Sequence, residues 1–137
     1  MTREEFAQLL NLLLEAERAG AKLLAAYLDE LAPDSPLFSR LQTVQRDEAR
    51  NCAVLIHYLL EADAEPSSAT GDFLQKGLAI HGWGERLQFL NRGQLWVAKR
   101  IAAVLPGLPA SAAKEALREM HASHLANIGL CEELIVA

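Results

Sequence analysis

The sequence predicts an all-α protein, with four long helices in an antiparallel four-helix bundle that fills a single domain, residues 1–137. Three observations predict it. Apolar residues recur at three- and four-residue spacing through four long segments. The apolar–polar alternation of half-buried strands is absent, and β-branched residues are few. Breaks rich in proline, serine, glycine and aspartate separate the segments.

The first helix is expected from about Thr2 to Leu31. Thr2 is a good N-cap, and Glu4 and Glu5 suit the positive end of the helix dipole. "APDSP", from Ala32 to Pro36, stops it with two prolines and opens the next helix. The second helix is expected from Pro36 to Ala62, and "DAEPSSATGD", from Asp63 to Asp72, is read as loop. The third segment is less regular. A short extra helix begins near Asp72, the chain bends around "HGWG" (His81 to Gly84), and the long helix continues from Glu85 to Leu105. "PGLPAS", from Pro106 to Ser111, ends it, and Ser111 caps a last helix that runs to about Val136.

The link lengths suggest a topology. The first and last links are short, so each joins neighbouring antiparallel helices into a hairpin. Between the second long helix and the regular part of the third lie roughly 22 residues, enough for a crossover along the whole length of a bundle. The expectation is two helical hairpins joined by one long crossover that carries the short extra helix.

Composition narrows the partners. Net charge is -5 and no basic run stands out, so nothing points to nucleic acid. No apolar stretch approaches the roughly 20 residues of a membrane span. "MTREEFAQLL" mixes charges of both signs and has no hydrophobic signal region, so the expected location is cytoplasmic. Cys52 and Cys131 stand far apart in apolar helical patterns and read as buried free thiols.

The inward rows carry the functional signal, because residues three and four apart share a helix face. In the first helix the row Leu10, Leu13, Glu17, Gly20, Leu24, Tyr27 is apolar except at Glu17. In the second, Leu41, Val44, Glu48, Asn51/Cys52, Leu55, Leu59 is interrupted at Glu48 and Asn51. Arg46, Asp47 and Arg50 fall off that row, toward solvent. In the third, Gln94 interrupts Trp83, Leu87, Leu90, Val97 and Ile101. In the last, His121 and His124 interrupt Leu117, Ile128, Cys131 and Ile135.

These polar groups lie at similar depth. Glu17 is roughly 14 residues before the first turn and Glu48 roughly 12 after it; Gln94 is roughly 10 before the last turn, and the two histidines roughly 9 to 12 after it. A buried, unpaired carboxylate costs several kcal/mol, so the cluster needs neutralisation. Three resolutions are open: a metal ion, a histidine–glutamate pair, or a water-filled pocket. Gly20 and Gly93, each costly inside a helix, allow either close helix packing or room for a ligand. Trp83, Phe89 and Trp96 read as core or interface, and His57, His81, Glu132 and Glu133 as surface.

"LLEAERAG" (Leu13 to Gly20), "DEARNC" (Asp47 to Cys52), "ERLQFLNRGQLWV" (Glu85 to Val97) and "SHLANI" (Ser123 to Ile128) resemble the ferritin-like superfamily, which includes rubrerythrin. The resemblance is closest to a bacterial branch that brings no activity with it, and it covers nearly the whole chain. It implies the crossover topology described above. It also implies a carboxylate site of one Glu on each of two helices and Glu-x-x-His on each of the other two. Glu17 matches a lone Glu, Glu48 the first Glu of a Glu-x-x-His, and His124 the His of the other. Asn51, Gln94 and His121 stand where His, Glu and Glu belong. The alternative Glu85 is about 13 Å along the axis from Gln94, too far to replace it. In place of a full di-iron centre, the resemblance leaves two alternatives: one ion of iron, manganese or zinc on Glu17, Glu48, His121 and His124, with Asn51 and Gln94 behind them, or a relic site kept as a Glu–His–Gln–Asn hydrogen-bond network.

Three functions are expected of such a chain. One is a metal-binding protein with metal-dependent redox chemistry. Another is a non-enzymatic interaction module, expected as a homodimer because two-fold assemblies dominate. The third uses the Glu/His cluster to bind a small molecule without metal.

Overall fold

The computed structural model describes residues 1–136, with side chains to residue 135. The chain is all-helical. Its elements are α1 (Arg3–Leu28), α2 (Pro36–Glu61), the short α3 (Phe73–Leu78), α4 (Trp83–Val104), a 3₁₀ turn (Leu105–Gly107) and α5 (Ala112–Val136). None of the described helices is long and apolar enough to cross a membrane.

The helix ends follow local chemistry. Thr2 and Glu5 form a reciprocal capping box on α1. Ser35 caps α2 through the Phe38 amide, with Pro36 in the first turn. Ser111 accepts from the Lys114 amide at the start of α5. Helix α2 ends at Glu61, and two residues on, Asp63 takes a left-handed φ of 54°. There the Ala64 amide bonds Leu59 O and the Asp63 amide bonds Leu60 O, which satisfies two orphan carbonyls. The first helix ends at Leu28, three residues before the expected Leu31, in a tight turn of 3.1 Å backbone bonds from Glu30 and Leu31.

Helix α1 packs on α2, and α4 packs on α5. The link between the pairs follows α1. Asn11 bonds Glu65 O and the Ser67 amide, Arg18 bonds Ala69 O, and the Tyr27 hydroxyl donates to Gly77 O. From Asn11 to Tyr27 is about 24 Å of helix, so the crossover runs beside most of α1. Gly71 supplies the left-handed turn (φ 63°) ahead of α3.

Arg86 pins the far end of the crossover. It is buried, donates to Ile80 O at 2.8 Å and pairs with Glu30 at 3.0 Å. Its guanidinium lies 4.5 Å from the centre of the Tyr27 ring and 4.6 Å from that of Trp83.

The core is divided. One apolar cluster joins Leu10, Leu13, Leu14, Leu55, Leu59, Val97, Ile101, Leu117 and Met120. The other joins Leu23, Leu24, Tyr27, Leu41, Val44, Leu87, Leu90 and Cys131. Both draw on α1, α2, α4 and α5. In every one of these helices the residues between the two clusters include a buried polar side chain.

Candidate functional site

The polar layer between the two clusters consists of Glu17 on α1, Glu48 and Asn51 on α2, Gln94 on α4 and His124 on α5, all buried. Each sits on a helix stripe that is apolar above and below it, so forming the core carries it inside.

His124 organises one half. Its Nε2 meets Glu17 Oε1, and its Nδ1 faces Gln94 Oε1 at 3.4 Å. The Gln94 amide nitrogen donates to Asn91 Oδ1 at 3.3 Å and toward the Cys131 sulfur at 4.0 Å. That orientation leaves the Gln94 oxygen for the histidine. Both ring nitrogens of His124 thus face an oxygen, one from Glu17 and one from Gln94.

Glu48 forms the other half and is less well served. Burial pushes its carboxyl well above the ordinary carboxylate range, and the nearby charges of Glu17 and Asp47 push the same way. Among the described residues its Oε2 has no hydrogen-bond partner, nor do Glu17 Oε2 and Asn51 Nδ2. Such orphaned buried groups are uncommon in folded proteins.

Glu48 also reaches a cavity of about 490 Å³ between α1, the crossover and α4. Leu12, Phe73, Phe89, Leu90, Trp96 and Val97 supply apolar walls, while Glu48, Gln94 and Gly20 also line it. Phe73 and Phe89 stack with their ring centres 4.4 Å apart. Glu15, Asp72, Lys76 and Arg92 add two acids and two bases to the lining; Lys76 pairs with Asp72 at 3.0 Å. The size falls within the range of small-molecule sites, as does the mixture of apolar walls with a few polar groups.

The structure thus gathers Glu17, Gln94 and His124 into one network and sets Glu48 and Asn51 in the same layer. His121 differs from the expectation. It is only half-buried, and Met120 takes the inward place. Two other expectations change. Cys52 is half-buried rather than buried, while Cys131 is fully buried; burial pushes both thiols up to about 11. Of the core and interface readings of Trp96, its 38% exposure removes the core one, and it lines the cavity.

Sequence spacing missed a second polar contact. Asp47 accepts from Ser123 at 3.2 Å and from buried Asn127 at 3.1 Å, tying α2 to α5, and also pairs with Arg50. The signal was available: the inward row of α5 is Leu117, Met120, His124, Asn127, Cys131. That row is also three- and four-spaced, but passes through Met120 instead of His121.

Carboxylate and imidazole suit a divalent ion in type, and two carboxylate oxygens are open. The arrangement does not fit one as it stands. His124 Nε2 is already engaged by Glu17, and among the described residues no group of three or more His, Cys, Asp and Glu is placed to hold a metal ion.

The fold and this polar layer define an all-helical protein with a small-molecule-sized cavity opening onto a buried acid. The chain belongs to the family described as "Domain of unknown function (DUF6306)", whose model matches residues 4–133. No match was found among curated proteins or solved structures.

Proposed function

We propose that this protein is a ferritin-like antiparallel four-helix bundle that binds a small, largely apolar molecule in the cavity beside Glu48. The two reversals, the crossover beside α1 and the two core clusters support the bundle. One observation carries the binding reading: an aromatic-walled cavity of about 490 Å³ meets a buried carboxyl whose Oε2 has no partner among the described residues. A hydrogen-bonded core would have satisfied that group internally. Melting temperature tests this reading. A simple apolar probe such as 2-phenylethanol, at millimolar concentration, should raise it by mass action in the native protein. It should not do so in Ala16→Trp, which fills the cavity from α1. No shift, or equal shifts in both, would sink the reading.

A second reading is a single iron, manganese or zinc ion held by Glu17, Glu48 and His124. The open oxygens on two buried glutamates favour it. It requires His124 to leave Glu17. Elemental analysis of protein purified without an affinity tag should then give one ion per chain, lost in Glu48→Ala. Absence of metal after reconstitution counts against this reading.

A further inference from the structure

The ligand class can be read from what Glu48 lacks. An ionised carboxylate offers only acceptors, so its missing complement is a donor, and a cationic donor is the strongest one. Glu17 has His124 beside it, whereas among the described residues Glu48 has no such basic neighbour within the polar layer. The bases that line the same cavity are engaged elsewhere: Lys76 with Asp72, and Arg92 over the Phe89 ring, 5.7 Å from its centre.

The walls are consistent with this. Phe73, Phe89 and Trp96 present aromatic surface to the cavity. Aromatic faces accommodate an apolar body and tolerate a neighbouring cation. Gly20 keeps the approach open, since a side chain there would fall on the Glu48 carboxylate.

Resting on the binding reading above, we propose that the cavity takes an apolar amine, with its ammonium group on the Glu48 carboxylate and its hydrocarbon or aromatic body against Phe73, Phe89 and Trp96. Burial by itself favours the neutral Glu48 carboxyl, and the bound ammonium supplies the counter-charge that holds it ionised. The same contact gives selectivity, because an uncharged alcohol can hydrogen-bond the carboxyl but cannot balance its charge.

Calorimetric titration of the whole protein with 2-phenylethylamine and 2-phenylethanol tests this. The two probes share a body and differ at the head group. The amine should bind at least about tenfold more tightly than the alcohol. Glu48→Gln should bring the amine's affinity down to that of the alcohol and so abolish that preference. Gly20→Ala, which displaces the carboxylate without removing it, should reduce the preference in the same direction. Equal affinity for the two probes in the native protein would keep the cavity as a binding site and overturn the amine assignment. An amine preference that survives in Glu48→Gln would overturn it too. Failure of both probes to bind would overturn the cavity reading, and the amine with it.

Discussion

Gly20 and Glu48 share one space: a Cβ on Gly20 would lie 2.5 Å from Glu48 Oε1 and 2.9 Å from its Oε2. Helix α1 lacks a side chain at the point where α2 sends in a carboxylate. The glycine is thereby explained by a contact with another helix and not by a turn, since it lies inside α1.

The two positions should therefore be coupled energetically. Gly→Ala inside a helix ordinarily gains about 1 kcal/mol. Gly20→Ala should gain roughly that much in a Glu48→Ala background and much less in the native protein, where the new methyl displaces the carboxylate. A double-mutant cycle by urea unfolding reads the difference. Strict additivity would show that the two sites are independent.

Glu48 should also give stability an unusual slope with pH. Its folded carboxyl binds a proton more tightly than the unfolded one, because burial and the charges of Glu17 and Asp47 disfavour ionisation. The Glu48 contribution is therefore most favourable below the ordinary carboxyl value of 4.5. It declines as pH rises from there through the raised folded value, then stays level. Glu48→Gln should flatten this decline and raise stability at neutral pH relative to the native protein. Parallel curves for the two proteins would refute the assignment.

Removing His124 should be costly. His124→Ala leaves Glu17 buried without its partner, and loss of one member of a buried pair costs about 3–5 kcal/mol. His121→Ala, at a half-buried position outside the network, should cost less than about 1 kcal/mol. Chemical denaturation of the two variants separates them. Equal losses would place both histidines in the layer.

Arg86 should prove structural. Arg86→Met removes the bonds to Ile80 O and Glu30 and the contacts with Tyr27 and Trp83. The expected loss is about 1.5–3 kcal/mol, as for hydrogen bonds to a charged group. Hydrogen exchange should report faster opening around α3 and the start of α4. A variant as stable and as protected as the native protein would remove this role.

The thiols should be inert in the folded protein. Both are pushed up to about 11 by burial, so little thiolate exists near neutral pH. A disulfide reagent at pH 7.5 should react slowly with Cys52, more slowly with fully buried Cys131, and quickly with both in denaturant. Fast reaction of the native protein would contradict the burial of Cys131.

Much of the architecture was determined by the sequence alone. Caps at Thr2 and Ser111, proline breaks and helical periodicity located the long helices, because these signals act within a few residues of where they stand; that Ser35 caps the second helix is a finding of the structure. The same periodicity put Glu17, Glu48, Asn51, Gln94 and His124 on inward stripes, and all five are buried. Tertiary structure alone decided the rest. A helical pattern gives a residue's angle about its own axis, and at the edge of a stripe neighbouring helices settle which residue faces inward. That is why Met120 and Asn127 lie inside while His121 sits half-buried. Asp47, off the inward row, meets Ser123 and Asn127 only because α5 passes beside α2. The cavity and the meeting of Gly20 with Glu48 likewise belong to no single segment, since each needs chain distant in sequence to close around the same few ångströms.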